Sequence, residues 1–261
     1  MNPKLSVFAI AKDEEKNIRP FVEHLQGFAD EIIIVVDAST TDKTLALALE
    51  LGAVATPHPF TSYSIQKQFA LEQCTGEWVL NLDLDERLTD ELKQEIRSVL
   101  PQTTANLIRL PLRNIFLGQV MHHGDVGRAT PARLARRAVA SYGQAKVHER
   151  LQAPGLTITL KHYFLHNPYR DINHFMAKMN DYSTSWAEGK LAQGKKFKCG
   201  YLWRFPLDFL NNYLLRGGIW GGKRGLIWSF GYTAYAFFKY AKLGQLQEQQ
   251  EKKQGPAEAV K

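Results

Sequence analysis

The stretch GEWVLNLDLDE, residues 76–86, decides how the fold of this chain is interpreted. It begins with a short apolar run of the length typical of a buried strand, and it ends in acidic residues. Two of these, Asp83 and Asp85, stand one residue apart directly after the run. In an open parallel sheet, ligands bind beyond the carboxyl ends of the strands. The stretch therefore predicts a central strand that presents two carboxylates to a binding site.

An isolated acidic pair has a simpler interpretation, which is a solvated turn that caps the next helix. Asp37 argues against that interpretation, because it stands at the exit of a second apolar run in EIIIVVDASTTDKT, residues 31–44. A carboxylate in that place can accept hydrogen bonds from a base N–H or a ribose hydroxyl. Asp42, in the same stretch, is interpreted as a cap of the helix that follows it.

The first hundred residues alternate strand and helix signals. Continuously apolar strands separated by amphipathic helices of about ten or more residues are typical of a parallel sheet covered on both faces. The predicted fold class is therefore α/β, with a doubly wound, mostly parallel, Rossmann-like sheet. The predicted order is strand 5–11, helix 16–28, strand 31–37, helix 44–51, extended segment 53–60, helix 64–74, strand 77–85 and helix 89–100.

Composition and charge narrow the possible settings and partners. The net charge of +7 suits nucleic acid, an anionic membrane or an acidic substrate, and charge alone does not choose among them. No recognisable nucleic-acid-binding module accompanies the charge, so we expect no nucleic-acid partner. The two cysteines, Cys74 and Cys199, support neither a disulfide framework nor a zinc site, which favours a reducing cytoplasmic setting.

Targeting and membrane-spanning segments are not expected in this sequence. The N-terminus has only a short apolar run before charged residues, unlike a secretory signal. The best candidate for a membrane span, residues 225–238, has 14 residues, and a span needs about 18.

Three motifs in the same order resemble the family-2 glycosyltransferases with the GT-A fold. They are the stretches 31–44 and 76–86 together with SVFAIAKDEEKNI, residues 6–18. The later segment HNPYRDINHFMAKMNDYS, residues 166–183, resembles the bacterial branch that adds glucose or related sugars to the lipopolysaccharide core.

The resemblance implies a donor site on the strand exits. By it, a divalent metal, Mg²⁺ or Mn²⁺, bridges the diphosphate of a nucleotide diphosphate sugar, with a UDP-sugar favoured. Two positions depart from the family pattern, since Leu84 replaces a small residue and Lys12 replaces an aromatic side chain found in many members. The implied roles are contact with the nucleoside for Ala11, Lys12 and Asp13, binding of uracil or ribose for Asp37, contact with ribose for Asp83, and metal ligation for Asp85.

Lys67 is a further candidate for the donor site. It lies in SYSIQKQFALEQ, residues 62–73, on a predicted helix with apolar residues packed inward. A cation there could neutralise phosphate charge as the leaving group departs. The alternative is a solvated surface lysine.

An inverting transfer needs a general base that deprotonates the acceptor hydroxyl. The resemblance implies Glu149 in KVHERL, residues 146–151, with His148 as its orienting neighbour. The alternative for Glu149 is an ion pair with Arg150 or Arg137. Asp125 in HHGDVGR is the second candidate for the base.

The histidines suggest a rival hypothesis, a transition-metal site. Only two of them have the HxxxH spacing, and these fall in a predicted strand and loop rather than on a helix, so a histidine metal site is disfavoured. We expect instead that some line the acceptor pocket. The set comprises His122, His123, His148, His162 and His166.

The C-terminal third is rich in aromatic and basic residues, above all in RGGIWGGKRGLIWSFGYTAYAFFKYAKL, residues 216–243. Aromatic rings favour the boundary between headgroups and acyl chains, and Lys and Arg pair with anionic lipid. A helical segment that associates with an anionic membrane surface is therefore predicted. The alternative is an aromatic helix that packs on the catalytic core.

Three regions follow from these patterns. Residues 1–168 are predicted to form a nucleotide-sugar-binding catalytic domain, residues 169–243 a helical membrane-associating region, and residues 244–261 a disordered polar tail.

The predicted function is inverting, metal-dependent transfer of a hexose, such as glucose, to a lipid-linked saccharide. The expected role is synthesis of the lipopolysaccharide core or a related glycan, on the cytoplasmic face of the inner membrane. One alternative is a nucleotidyltransferase that forms nucleotide sugars, although residues 9–17 lack the glycine-rich phosphate loop that such an enzyme needs. Another is a membrane-surface scaffold that has lost catalysis.

Overall fold

The structure, a computed structural model, describes residues 3–123, 129–143 and 150–254. The chain divides into two compact units, of which the first comprises Met1–Asn114 and Gly127–Asn167. The second comprises Ile115–Val126 and Pro168–Lys261. The sequence places a boundary after residue 168 but does not indicate that residues 115–126 group with the C-terminal part.

The described residues form thirteen strands and seven α-helices. The strands are β1 (Leu5–Ala11), β2 (Glu31–Asp37), β3 (Val54–His58), β4 (Trp78–Asn81), β5 (Glu86–Leu88), β6 (Leu107–Arg109), β7 (Leu112–Phe116), β8 (Gln119–Val120), β9 (Ala132–Arg136), β10 (Ser141–Tyr142), β11 (Leu151–Gln152), β12 (Thr157–Thr159) and β13 (Phe164–His166). The helices are α1 (Glu15–Leu25), α2 (Thr44–Glu50), α3 (Tyr63–Gln73), α4 (Asp90–Val99), α5 (Ile172–Ala192), α6 (Phe205–Leu210) and α7 (Gly222–Gln254).

The first unit is built on a seven-stranded sheet with the order β12-β6-β9-β4-β1-β2-β3. Strand β1 pairs in parallel with β2 and β4, and β2 pairs in parallel with β3. Strand β9 is the exception, since it runs antiparallel between β4 and β6. The mostly parallel sheet predicted from the sequence is therefore confirmed, with one reversed strand inside it.

Helices cover both faces of this sheet because both faces of its strands are apolar. Val7 of β1 belongs to the core cluster that includes Phe21 of α1, whereas Phe8 belongs to the cluster that includes Leu71 of α3. Successive side chains of a strand point to opposite faces, so adjacent apolar residues need cover on both sides. The continuous apolar runs of the sequence are explained by this double burial.

Helix α1 is shorter than its predicted range of 16–28. It ends at Leu25, and Gly27 adopts a positive φ of 70° two residues later. Glycine reaches that left-handed conformation without the steric cost of a Cβ atom, so it stops the helix. Helix α4 begins after Thr89, whose side chain accepts a hydrogen bond from the Leu92 amide.

A smaller ladder extends the first unit beyond the exit of β4. Strand β13 pairs with β5 in antiparallel fashion and with Leu112–Asn114 of β7 in parallel. In this register His166 lies opposite Glu86 on one side and Asn114 on the other. The ladder thus brings the end of β13 to the acidic stretch that follows β4.

The second unit is built around a cluster of aromatic side chains that includes residues of α5 and α7. Phe175 of α5 is buried, with its ring centroid 5.2 Å from Phe116 and 5.6 Å from Trp228 of α7. Tyr169 completes the cluster at 4.9 Å from Phe175. Phe116 belongs to this core, which explains why residues 115–126 group with the C-terminal part of the chain.

Of the polar tail predicted to be disordered over residues 244–261, residues 244–254 are helical, and residues 255–261 lie outside the described residues. Helix α7 continues to Gln254 without a break. Its last turns consist largely of Gln, Glu and Lys, which lose little rotamer freedom in a helix and extend one already nucleated by packing. Within the described residues, none of the helices combines the length and the apolar content needed to cross a bilayer.

Candidate active site

The exits of β1 and β2 form one edge of the site. These strands are adjacent and parallel, so the loops that follow Ala11 and Asp37 emerge side by side. Lys12 Nζ lies 3.4 Å from Asp37 Oδ2, and Asp13 Oδ1 accepts a hydrogen bond of 2.9 Å from the Thr41 amide. Asp13 has a positive φ of 51°, a conformation that Asp tolerates better than most residues. The first two sequence motifs are therefore in direct contact.

Asp37 is buried and held as an ionised acceptor. Its Oδ1 accepts hydrogen bonds of 2.9 Å from both the amide and the hydroxyl of Ser39. These bonds, led by the one from the amide, lower the pKa of Asp37 together with the nearby charge of Lys12. Asp42 has a different role, because it accepts from the amides of Glu15 and Thr44 and so ties the first turns of α1 and α2 together.

Asp83 is clamped by two cations from different elements. Lys67 of α3 brings its Nζ to 3.3 Å from Oδ1, and Arg133 of β9 brings Nη2 to 3.0 Å from Oδ2. Lys67 is only 6% exposed, so the alternative of a solvated surface lysine is wrong. Burial alone would raise the pKa of Asp83, but the two cations outweigh burial and lower it.

Arg133 is a site residue that the sequence analysis missed. Its guanidinium donates to Asn81 Oδ1 at 3.0 Å, to Asp83, and in a short contact to the buried Glu86. Glu86 in turn accepts a 2.9 Å hydrogen bond from the Asp83 amide. Because β9 runs antiparallel to β4, the start of β9 meets the exit of β4. Nothing local in residues 129–136 indicates that meeting.

Asp85 faces His166, which the sequence analysis considered only as one of several histidines. Asp85 Oδ2 lies 3.3 Å from His166 Nε2, and His166 Nδ1 lies 2.9 Å from Asn114 Oδ1. Burial lowers the pKa of His166, but Asp85 and the neighbouring carboxylates outweigh burial and raise it. His162, by contrast, lies against Glu95 of α4, with its Nδ1 2.8 Å from Glu95 Oε2. Glu95 also accepts hydrogen bonds of 2.9 Å from the amides of Lys161 and His162, which fasten this loop.

The pair formed by Asp85 and His166 fits a divalent cation. If His166 Nδ1 donates to Asn114, Nε2 faces Asp85, and the two share either a proton, which the raised pKa of His166 favours, or a bound cation that takes its place. Metal-binding histidines commonly donate their other ring N–H to an oxygen in this way. The described residues contain no group of three His, Cys, Asp or Glu side chains that could hold a metal. Mg²⁺ and Mn²⁺ prefer oxygen ligands, and in a nucleotide-sugar site a diphosphate would supply oxygens beside Asp85.

A cavity of about 860 Å³ lies beside the clamp. Lys67, Asp83 and Arg133 contribute to its wall, and Arg109 and Arg150 add two more cations. Its volume falls in the range of about 300–1,000 Å³ that is usual for small-molecule sites. The cavity can therefore hold a ligand in contact with Asp83.

Glu149, its neighbour His148 and the second candidate Asp125 lie outside the described residues. Arg137 is one of the two ion-pair partners considered for Glu149. Its Nε donates a hydrogen bond to the Gly76 carbonyl, which lies before the start of β4, at the end of the strand away from the acidic residues.

Comparisons with known proteins agree with the motifs. Residues 6–139 match the family model for glycosyl transferase family 2. The lipopolysaccharide core biosynthesis glycosyltransferase LpsC of Rhizobium meliloti is 32% identical over 257 residues, which cover 94% of each chain. An uncharacterized glycosyltransferase of Rickettsia bellii is 30% identical over 94% of this chain and 88% of its own.

Among solved structures, residues 1–349 of Staphylococcus aureus TarS superpose with a TM-score of 0.50 at 14% identity, covering 95% of this chain and 92% of that one. At this identity the likeness concerns the fold alone. Together with the family match, it confirms the predicted GT-A type α/β fold.

Proposed function

The chain belongs to glycosyl transferase family 2 and is a glycosyltransferase, and from this premise we propose that it transfers a hexose from a UDP-sugar to a lipid-linked saccharide. The relative named for lipopolysaccharide core biosynthesis, which is similar over nearly the whole chain, supports a role in making that core or a related surface glycan. Family membership also favours glycosyl transfer over the nucleotidyltransferase alternative.

The observation that carries this proposal is the clamped Asp83 at the exit of β4, the strand next to β1 in the sheet. Asp37 and Asp83 offer acceptors for the hydroxyl and N–H groups of a nucleoside, while Lys67 and Arg133 supply positive charge beside them. A nucleoside diphosphate needs acceptors at its nucleoside end and positive charge at its phosphates. The two kinds of group stand together at this edge of the sheet.

Asp85 and His166 are the residues that would hold the divalent metal. When bound, Mg²⁺ or Mn²⁺ neutralises the charge that develops on the departing diphosphate. Lys67 contributes a fixed charge from a buried position, where it is screened less than a surface lysine would be.

Inversion requires a base on the side of the sugar opposite the leaving diphosphate. Glu149, oriented by His148, remains the proposed base, with Asp125 as the second candidate.

The basic wall of the 860 Å³ cavity, which includes Arg109 and Arg150, suits an acceptor that carries anionic groups.

We also propose that the protein resides on the cytoplasmic face of the inner membrane, bound to anionic lipid through its second unit. The support is a set of large apolar side chains that are exposed in and around α6. Trp203 is 77% exposed, Leu215 83% and Trp220 75%. Exposed apolar groups in such number mark interaction surfaces.

The support for membrane binding lies partly outside residues 216–243, the segment that the sequence indicated. In α7 several aromatic side chains pack inside the unit, and Lys242 donates to Asn180, Ser183 and Thr184 of α5 at 2.7–2.8 Å. Arg224 donates to the Leu117 carbonyl. The most exposed apolar residues instead lie between positions 203 and 220.

The proposed function is tested with purified full-length protein, a panel of UDP- and GDP-sugars, and lipopolysaccharide with a truncated core as acceptor. We expect one UDP-hexose to give nucleoside diphosphate release and a labelled glycolipid, in Mn²⁺ or Mg²⁺ but not in chelator. Release that is no faster with acceptor than without it, for every donor, would overturn the proposal.

A further inference from the structure

The second unit contains a cavity of about 260 Å³ with a basic lining. Its walls are the segment that runs from Tyr201 to Arg216 and one side of α7. Arg204, Arg216 and Lys239 contribute to the lining. Asp208 is the one acid among the described lining residues, and it pairs with Arg204 at 3.5 Å, so the three cations and one acid leave the lining with an excess of two positive charges. The excess of positive charge favours an anionic ligand. The volume is below the roughly 300–1,000 Å³ of pockets that enclose a whole small molecule, and it suits a single headgroup.

Aromatic rings surround Lys239, one of the three basic lining residues. Lys239 Nζ lies 4.9 Å from the ring centroids of both Trp186 and Tyr235, and Tyr201 stacks on Tyr240 at 4.2 Å. Burial lowers the pKa of Lys239, and the nearby charge of Lys195 adds to that effect. Two lysines that share one aromatic cluster repel each other, so an anion beside them would relieve the repulsion.

Exposed apolar residues stand next in the sequence to residues that line the cavity. Trp203 precedes Arg204, Leu207 precedes Asp208, Leu210 precedes Asn211, and Leu215 precedes Arg216. In each pair the first residue is an exposed apolar side chain and the second lines the cavity. A ligand for such a segment needs an anionic group for the cavity and apolar material for the neighbouring side chains.

We propose that this cavity binds the phosphate of an anionic glycerophospholipid, while Trp203, Leu207 and Leu215 enter the acyl region around it. This inference rests on the proposed membrane association and gives it a defined site. The protein would then recognise a lipid headgroup in a pocket lined by Arg204, Arg216 and Lys239, instead of being attracted only by diffuse surface charge.

The test measures binding of the full-length protein to phosphatidylcholine vesicles with and without 30% phosphatidylglycerol. The variant Arg204→Gln/Lys239→Gln removes two charges from the cavity. The control Lys198→Gln/Lys223→Gln removes two exposed charges of the same unit that do not line it. Diffuse attraction contributes about fivefold in affinity per basic residue and affects both variants alike. A charged hydrogen bond to a bound phosphate contributes about tenfold or more, so we expect the cavity variant to lose at least about tenfold more affinity than the control.

A third variant separates loss of the site from loss of the fold. Asp208→Asn removes the acid from the lining, and we expect it to bind the anionic vesicles about threefold to fivefold more tightly than the parent. Millimolar glycerol 1-phosphate distinguishes a phosphate pocket from lipid adsorption, because it should compete with the parent protein and not with the cavity variant.

Equal losses in the cavity variant and its control, with no gain in Asp208→Asn, would overturn the proposal in favour of diffuse charge. Equal binding of the parent protein to both kinds of vesicle would also overturn it. Glycosyl transfer to a soluble acceptor fragment, measured on the same samples, reports the donor site in the first unit. Failure of the proposed function therefore shows in that assay, and failure of the lipid site shows in vesicle binding.

Discussion

Asp83 shows how the site is held together at the scale of single residues. Its two oxygens face Lys67 and Arg133, and Arg133 also holds Asn81 and Glu86. Removing one member of a buried charged group leaves its partners uncompensated, which costs more than the contact itself contributes. The position of Asp83 thus depends on Lys67, which is 16 positions earlier in the chain, and on Arg133, which is 50 positions later.

Substituting Arg133 by Lys should weaken donor binding. A lysine cannot reach three acceptors at once as the planar guanidinium does. We expect the affinity for UDP, measured by calorimetry, to fall about tenfold or more, which corresponds to one or two charged hydrogen bonds. Arg136→Lys is the matched control, because Arg136 lies on the same strand and pairs with Glu77, at the start of β4. If the two variants bind UDP alike, Arg133 has no part in donor binding.

Asp85 should be essential to metal-dependent transfer. We expect Asp85→Ala to lose about 10²-fold or more in rate, comparable to loss of an electrostatic contact to a transition state, and to become insensitive to chelator. Asp90→Ala, which removes an exposed acid five positions along, should keep both the rate and the chelator sensitivity. Unchanged turnover in Asp85→Ala would exclude it as the metal ligand.

The choice of general base can be made by kinetics. We expect Glu149→Gln to keep UDP-sugar affinity and to lose transfer by about 10²-fold or more, the usual contribution of a positioned base. The same measurement on Asp125→Asn provides the comparison. Full activity in Glu149→Gln with a loss in Asp125→Asn would move the assignment to Asp125.

At the scale of elements, the second unit depends on close approach between α5 and α7. A Cβ atom added to Gly231 of α7 would lie 2.3 Å from Phe175 Cε1, and Phe175 is fixed by the rings around it. Gly231 is therefore needed because only a residue without a side chain lets α7 approach Phe175 of α5 this closely, and not because of its backbone conformation. Lys242, about three helical turns after Gly231, adds hydrogen bonds to three residues of α5.

Two glycine substitutions should change stability in opposite directions. Gly231→Ala should destabilise the protein by about 1–3 kcal/mol through overpacking, despite the higher helix propensity of alanine. Gly189→Ala on α5 is the control, since a Cβ atom there meets nothing within 4 Å, and it should stabilise by up to about 1 kcal/mol. Urea unfolding of both variants decides the matter. A stabilised Gly231→Ala would mean that the helices do not approach this closely.

At the scale of the whole molecule, chemistry and membrane attachment are assigned to different units. The candidate donor residues all belong to the first unit, and the exposed apolar residues from 203 to 220 belong to the second. Substitutions in one unit should therefore change one property and leave the other. Electrostatic attraction to lipid is screened over about 8 Å at physiological salt, whereas apolar burial is not, so salt separates the two contributions.

Removing exposed apolar residues of the second unit should reduce vesicle binding that persists at high salt. We expect the triple variant Trp203→Ser/Leu215→Ser/Trp220→Ser to bind anionic vesicles at least about tenfold more weakly in 0.5 M NaCl, because a buried large apolar side chain contributes roughly 1.5–3 kcal/mol. UDP affinity and the melting temperature should stay unchanged. Val54→Ser/Phe60→Ser/Leu156→Ser removes exposed apolar residues of the first unit as a control. Equal binding by both triple variants would contradict a membrane-facing second unit.

The sequence by itself determined the α/β class, the strands β1 and β2, and the placing of Asp37, Asp83 and Asp85 at strand exits. These features follow from local signals, since apolar runs and helix periodicity are carried by residues close together in the chain. Even the meeting of the three exits follows from general rules of parallel sheets.

Only the tertiary structure decided that Arg133 and His166 join the site, that residues 115–126 group with the second unit, and that Lys242 is used inside the protein. Each of these depends on pairing between segments 50 or more residues apart, such as the antiparallel insertion of β9 beside β4. Long-range pairing leaves no periodic trace in either segment, because an arginine that clamps Asp83 and one that faces solvent have the same neighbours along the chain.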